Sequence, residues 1–499
     1  MTTNAQTGSN AVVLPSYDKS KVKPGIAHFG PGNFHRGHFA VIMNNYMART
    51  GDLDWGIVGI TLHDPHKAEK LRQQNFSYHV VERSEDSCTV ERIDSILDIL
   101  HAPNDKKAVI DLLASPDIKV ISMTITQKGY LNPEGGFESG DPTTVAGYIV
   151  HALEKRRQMG IPAPTLMSCD NIPNNGAELK KAVLLHAQAP GFAPELVEWI
   201  GNNVRFPDTM VDRIVPATRA EDTQWLKQNY DIDDANAIFT EPFRNFVIQT
   251  RFSGPFPDIN RPEKGIVMLP EMGDYELMKI RMLNGTHFAL GVIGTLAGYT
   301  YIDEALKDPA IREFADSFMR EAANSLKPIP GINFDDYRQR LFKRFENPFM
   351  KDELVRLARN GSDKLNPRVL DVARDLAPND FDYRHMAFVS AAWAHYIKGR
   401  NGKGQEFDIL DEKAIKNGWQ DIARLQSPAQ YLFRLRPLFG KDMIETSPFR
   451  HAFHNYYMMI QHRGVMPVVR AVPTHAPVKG QVMQFPVPKA PHVPTNQLP

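Results

Sequence analysis

Cysteine is nearly absent from this chain: Cys88 and Cys169 are its two, and neither lies in a C-x-x-C pair. No disulfide framework can follow from so few thiols, and the economy fits a reducing compartment. Net charge is missing too. Fifty-eight basic residues balance 58 acidic ones, which leaves no electrostatic case for nucleic acid or an anionic membrane surface. Apolar stretches are broken by charge or glycine well short of the ~18–20 residues a membrane span needs. The opening residues M-T-T-N-A-Q-T-G-S-N have neither a basic nor an apolar region, so no secretory signal is expected. A soluble, cytoplasmic protein is the expectation. Its 42% apolar and 23% charged residues are ordinary for globular chains, and 499 residues allow two domains or more.

What is present has a clear texture. Between Gly25 and about Gly176, short apolar runs (Ile26–Phe29, Gly56–Leu62, Ile118–Ile125, Thr165–Ser168) alternate with helix-like stretches (Phe34–Arg49, Lys67–Gln74, Lys106–Ala114, Val145–Arg157). Such alternation predicts a parallel, doubly wound α/β sheet, which binds ligands at the carboxyl ends of its strands. Residues 200–270 read as a mixed or antiparallel extension, with strands at Ala237–Thr240 and Asn245–Thr250. From Asp274 the texture turns helical, with candidates at Tyr275–Thr300, Asp308–Leu326, Phe334–Phe342 and Met386–Ile397. The expected division is an N-terminal extension (1–24), a dinucleotide-binding domain (25–273), a helical domain (274–465) and an irregular proline-rich tail (466–499).

Two stretches carry chemistry. The first is G-P-G-N-F-H-R-G-H, Gly30 to His38, directly after the first strand. Gly30 permits a tight turn, Gly32 lets a pyrophosphate approach the backbone, and the helix that starts near Phe34 offers its N–H groups. His35 stands where the third glycine of the fingerprint belongs, and a plain turn is the simpler alternative. Asp64, after the second strand, is placed to hydrogen-bond an adenosine ribose and repel a 2′-phosphate. NAD is therefore expected over NADP, although Lys67 lies nearby. The pairs His35/His38 and His451/His454 have one-turn spacing, but no H-E-x-x-H pattern accompanies them, and no metal is expected.

The second stretch is Y-E-L-M-K-I-R-M-L-N-G-T-H-F-A-L, Tyr275 to Leu290. On a regular α-helix Lys279 and His287 lie about 80° apart, with Asn284 about 60° beyond. Gly285 in mid-helix costs up to about 1 kcal/mol, which suggests that a ligand or another backbone comes close. Alcohol oxidation without a metal needs a proton acceptor. A desolvated lysine can serve, with asparagine amides holding the oxygen. A helix whose polar residues merely face solvent is the bland alternative.

These motifs resemble those of the mannitol dehydrogenase family of polyol-specific long-chain dehydrogenases. G-P-G-N-F-H-R-G-H is similar to the family's G-x-G-x-F-H-R-x-H, and T-I-T-Q-K-G-Y (124–130) to its T-I-T-E-x-G-Y, with Gln127 in place of the glutamate. M-S-C-D-N-I-P-N-N-G (167–176), F-P-D-T-M-V-D-R-I-V-P (206–216) and K-I-R-M-L-N-G-T-H (279–287) follow in order, and the likeness runs from about residue 22 to 463.

The resemblance implies a Rossmann-type N-terminal domain with extensions, a mostly α-helical C-terminal domain and an active site in the cleft between them. It implies metal-independent, NAD-dependent conversion of a polyol to a ketose, D-mannitol to D-fructose and the reverse. Lys279 becomes the general base, Asn171 and Asn284 the oxyanion-binding pair, and His287 the group that positions substrate hydroxyls. Asp212 sets the lysine or the substrate, Arg213 is structural, and Lys364 and Arg368 are candidate substrate contacts. Gly30, Gly32, Asn33, Phe34 and Asp64 are the expected cofactor residues. Family members are often monomeric, so a monomer is expected. The rival readings are a D-arabinitol dehydrogenase, a fructuronate reductase, and a nucleotide-binding protein without catalysis.

Overall fold

Five parallel strands, four of them buried throughout or nearly so, organise the N-terminal half of the computed structural model. The structure describes residues 11–63, 65–125, 142–377, 382–419, 435–440, 442–443 and 448–472, the side chains of His66 and Lys67 excepted. The chain divides into two compact units, Met1–Gly273 with Asn347–Met350, and Asp274–Glu346 with Lys351–Pro499.

In the first unit, strands Ile96–His101, Gly56–Thr61, Pro24–Phe29, Val120–Met123 and Thr165–Ser168 lie side by side in that order, all parallel. Numbered by appearance within this sheet, the order is 3-2-1-4-5, the doubly wound arrangement. Each face has its own core. Ile26 points into one with Phe39, Ile42 and Met43 of helix Phe39–Thr50. Ala27 and Phe29 point into the other with Val109, Ile149 and Leu153. Burial on both faces is why four of these strands read as apolar runs, while the edge strand Ile96–His101, half-buried and carrying Asp98, did not.

Around this sheet lie two smaller ones. Tyr78–Arg83 and Cys88–Ile93 form an antiparallel pair, flanked by Val12–Val13 and Ile238–Thr240. Thr209–Asp212, Asn245–Gln249 and Ile266–Leu269 make the other.

The second unit is helical. Its centre is one helix with a change of winding: α from Gly273 to Met278, π from Lys279 to Asn284, then α to Ala297. Gly291 and Gly294 let Leu354–Ala358 lie against it; a Cβ on Gly291 would stand 2.8 Å from the Ala358 nitrogen. Arg384–Tyr396 and Pro448–Arg463 complete the packing, with Phe388 edge-on to Tyr456.

Three expectations need correction. The helix read as Phe34–Arg49 is two, Asn33–Gly37 and Phe39–Thr50, broken where His38 leaves helical geometry at φ −129° and ψ −86°. Tyr275–Thr300 is not regularly α, because of its π segment. The tail does not become irregular at 466: Val465–Val469 is helical, with Val468 and Val469 buried. Residues 473–499 lie outside the described residues. Among the described residues no helix is long and apolar enough to cross a membrane.

Candidate active site: a glycine turn and a lysine helix

The glycine turn leaves the first sheet strand at the point where strand order reverses. Gly30 has φ +81°, and a Cβ there would sit 2.3 Å from the Thr124 carbonyl oxygen. No other residue fits. Gly32 is different: a Cβ would meet only the Gly30 oxygen, at 3.9 Å. Its surroundings are open, as a closely approaching phosphate requires. The residues present therefore fit a dinucleotide.

His35 is buried under this turn. Its ring stacks on His28 of the strand, centroids 3.5 Å apart and 20° from parallel. Helix and strand meet through two flat rings where a third glycine would otherwise bring them together. Gly37, two residues later, provides the close approach, with Val215 and Ile238 methyls 3.0 Å from where a Cβ would be.

Below the stack runs a short relay. Thr124 Oγ1 donates to the Gly30 carbonyl at 2.7 Å, so its oxygen accepts from His28 Nε2 at 3.1 Å. His28 Nδ1 then accepts from the Ser122 hydroxyl at 2.8 Å. Burial pushes His28 down to about 3, and burial with the neighbouring His28 pushes His35 well below the ordinary range. Both rings are neutral at pH 7.

Asn33 Oδ1 accepts from Arg36 Nη2 at 2.9 Å, and Phe34 stacks on His38 at 4.9 Å. Both side chains thus brace the turn. Asp64 lies outside the described residues, as does Gln127.

Asn171 follows the fifth sheet strand and is exposed beside buried Asp170. Its segment is held by Asn175. The Asn175 amide donates to the carbonyls of Asp170 and Thr209, both at 3.0 Å, and accepts from the Thr209 N–H at 2.9 Å. Gly176 presses on the Phe206 and Pro207 carbonyls, 2.6 and 2.8 Å from a would-be Cβ. Two motifs distant in sequence are one knot. Asp212 ends strand Thr209–Asp212, half-buried opposite Asn245. Arg213 beyond it is buried and donates to the Gly37 and Glu241 carbonyls and to Glu82.

In the helical unit Lys279 is 6% exposed and opens the π segment; Asn284 closes it. The wider i→i+5 turn brings Asn284 back toward the lysine side of the helix, away from the spread a regular α-helix gives. His287, one turn on, rests against Phe345 at 4.5 Å between ring centres. Gly285 faces the Arg368 carbonyl, 3.1 Å from a would-be Cβ, and the Phe318 ring at 3.2 Å. Arg368 lies in a second π segment, Asn366–Leu370, and donates to the Asn284 carbonyl at 3.3 Å. The backbone that comes close to Gly285 is thus this one.

Lys364 is not brought to that point by any hydrogen bond described; its Nζ donates to the Leu357 carbonyl at 3.0 Å. Burial and then the charges of Arg368, Arg356 and Arg359 push it down to about 8. Among the described residues no three His, Cys, Asp or Glu side chains converge on a common point. His28, Thr124 and Asn175 escaped the sequence reading. For His28 the available signal was a polar residue inside an apolar strand, which must find a partner; Thr124 and Asn175 lie outside the strands and carried no such signal.

The chain matches the mannitol dehydrogenase Rossmann domain over residues 24–261 and the mannitol dehydrogenase C-terminal domain over residues 271–461. It is 35% identical over 464 residues to a mannitol 2-dehydrogenase of Aspergillus clavatus, covering 88% of this chain and 91% of the relative. Among solved structures it is similar to a D-sorbitol dehydrogenase in substrate-free form, at 31% identity and a TM-score of 0.83 over 93% of this chain and 97% of that one. It is also similar to Pseudomonas fluorescens mannitol 2-dehydrogenase in a ternary complex with NAD and D-mannitol, at 34% identity and a TM-score of 0.68 over 92% and 96%.

Proposed function

The chain belongs to the mannitol dehydrogenase family, and we propose that it oxidises D-mannitol to D-fructose, and runs the reverse, with NAD and without a metal ion. NAD, when bound, supplies the hydride acceptor. The observation that carries the reading is the buried Lys279 at the start of a π turn that ends at Asn284, with His287 following.

Lys279 Nζ takes the hydroxyl proton while the carbinol C–H departs as hydride, which leaves a carbonyl. The amides of Asn171 and Asn284 donate to the substrate oxygen as its charge develops. His287, backed by Phe345, positions further hydroxyls, and Asp212 orients the lysine or the substrate. Gly30 and Gly32 hold the pyrophosphate with the N–H groups at Asn33 and Phe34. Asp64 holds the adenosine ribose and selects NAD over NADP.

A carboxylated substrate such as fructuronate calls for an extra cation. The candidates are Lys364 and Arg368, and each already donates to a backbone carbonyl. That supports an uncharged polyol. A role in nucleotide binding alone would leave a buried lysine, costly to desolvate, without chemistry.

The test follows NADH and NADPH oxidation with fructose and then fructuronate, in wild type and Lys279→Ala. Fructose-dependent oxidation of NADH, abolished in the variant while cofactor still binds, is the expected result. Turnover of fructuronate alone would overturn the substrate; equal activity in both proteins would overturn the base.

A further inference from the structure

Away from the glycine turn, the first unit holds a cavity of about 440 Å³. Helix Phe39–Thr50 gives one wall through Asn45, Tyr46 and Arg49, and strand Cys88–Ile93 another through Thr89 and Glu91. Arg244, Arg261 and Lys264 line the remainder, over an apolar floor that includes Ile42 and Ile266. A volume of this size suits a small organic molecule, since ligand pockets run from about 300 to 1,000 Å³.

The charge around it is unbalanced. Four cations line the cavity, against the carboxylates of Glu82 and Glu91, and Arg261 is also paired with Glu263, which leaves one cation in surplus. Glu82 serves two guanidiniums at once, Arg244 at the cavity and Arg213 behind it. Arg213 is buried with the carboxylates of both Glu82 and Glu241 acting on it, so it adds nothing to the surplus. Burial raises the Glu91 carboxyl. A positive surplus in a half-enclosed space favours an anion, and guanidinium forks match the paired oxygens of a phosphate. The short amide and hydroxyl side chains of Asn45 and Thr89 suit hydroxyl groups, and the floor suits a carbon skeleton.

We propose that this cavity binds the phosphate monoester of a small sugar or polyol, with Arg49, Arg244 and Lys264 on the phosphate. The site is independent of the reaction proposed above.

Calorimetric titration of the full chain with glucose 6-phosphate, at constant ionic strength and with NADH absent or saturating, tests it. Saturable one-to-one binding is expected under both conditions. Arg49→Ala and Lys264→Ala should each weaken it about tenfold or more, and Lys279→Ala should leave it unchanged. Binding that vanishes with NADH would place the phosphate at the glycine turn and overturn the proposal. Loss in Lys279→Ala would place it at the lysine helix and overturn the proposal equally. Absent binding, or wild-type affinity in the two cavity variants, would also overturn it. A matched response to inorganic phosphate alone would reduce the site to an unspecific anion contact and so reject the sugar or polyol ester.

Discussion

The imidazole of His35 lies flat on that of His28, with 3.5 Å between ring centroids. One ring belongs to the strand that leads into the glycine turn, the other to the helix that leaves it. The turn is thus clamped from beneath by an apolar face contact, and His28 extends the clamp to the Gly30 carbonyl through Thr124.

Replacing His35 with glycine would complete the common three-glycine fingerprint, yet it should harm this protein. The buried ring leaves a cavity, and large-to-small changes in cores cost roughly 2–4 kcal/mol. We expect a lower melting temperature and weaker NADH binding in His35→Gly, read by thermal unfolding and by nucleotide fluorescence. A variant as stable as wild type would show that the stack contributes nothing.

The two glycines of the turn should separate in their effects. Gly30→Ala puts a Cβ against the Thr124 carbonyl at a positive φ, and should cost about 2 kcal/mol or more. Gly32→Ala meets no such obstacle, so its stability should stay within about 0.5 kcal/mol. Its methyl would occupy the phosphate's approach, and NADH affinity should fall about tenfold or more. Calorimetric unfolding and binding titrations, run on both variants, distinguish the roles. Tight NADH binding by Gly32→Ala would refute its part.

Alanine normally improves a helix over glycine by up to about 1 kcal/mol. At Gly285 the sign should reverse, because the added methyl meets the Arg368 carbonyl and the Phe318 ring. Overpacking of this kind costs about 1–3 kcal/mol. It also displaces Asn284, so kcat for mannitol should drop with the melting temperature. A stabilised, fully active Gly285→Ala would contradict the packing described.

Acid should weaken the fold through its histidines. Burial, before any other cause, pushes His28, His38 and His395 down to about 3, whereas an unfolded histidine charges near 6.5. Below about pH 6.5 the unfolded chain therefore takes up protons that the folded one refuses. The stabilisation is full above that pH and is lost as pH falls toward 3, by up to about 1.4 kcal/mol per unit for each ring. Melting temperature should decline steeply below pH 6. His38→Gln keeps a donor for the Asn245 carbonyl, which His38 Nε2 meets at 3.2 Å, and should flatten the decline. Parallel curves for the two proteins would reject this account.

The sheet was legible in the sequence because strands covered on both faces must be apolar throughout, and Ile26–Phe29 and Thr165–Ser168 are largely so. The strands Tyr78–Arg83 and Cys88–Ile93 were not, since each is only partly buried and carries charge on both faces, at Glu82 and Arg83 and at Glu91 and Arg92. Gly30, Asn284 and His287 stood out through residue type and spacing. The His28–Thr124 relay joins residues 96 apart, and no local pattern records a pairing at that distance. The break at His38 was hidden because no proline marks it and apolar residues resume at Phe39.

The winding at Lys279–Asn284 also gives the chain length a meaning of its own. A π turn holds one residue more than the α turn it replaces. Deleting Ile280 or Leu283 would leave the lysine, asparagine, glycine and histidine all present. The helix would then close to regular winding, with Lys279 and Asn284 four apart on one face and Gly285–Ala297 held near its present direction. Winding the undeleted residues as α would instead turn Gly285–Ala297 by about 100° relative to Gly273–Met278. The count of residues between Lys279 and Asn284 and the winding that carries them are matched, and a change in one is tolerated only with a change in the other.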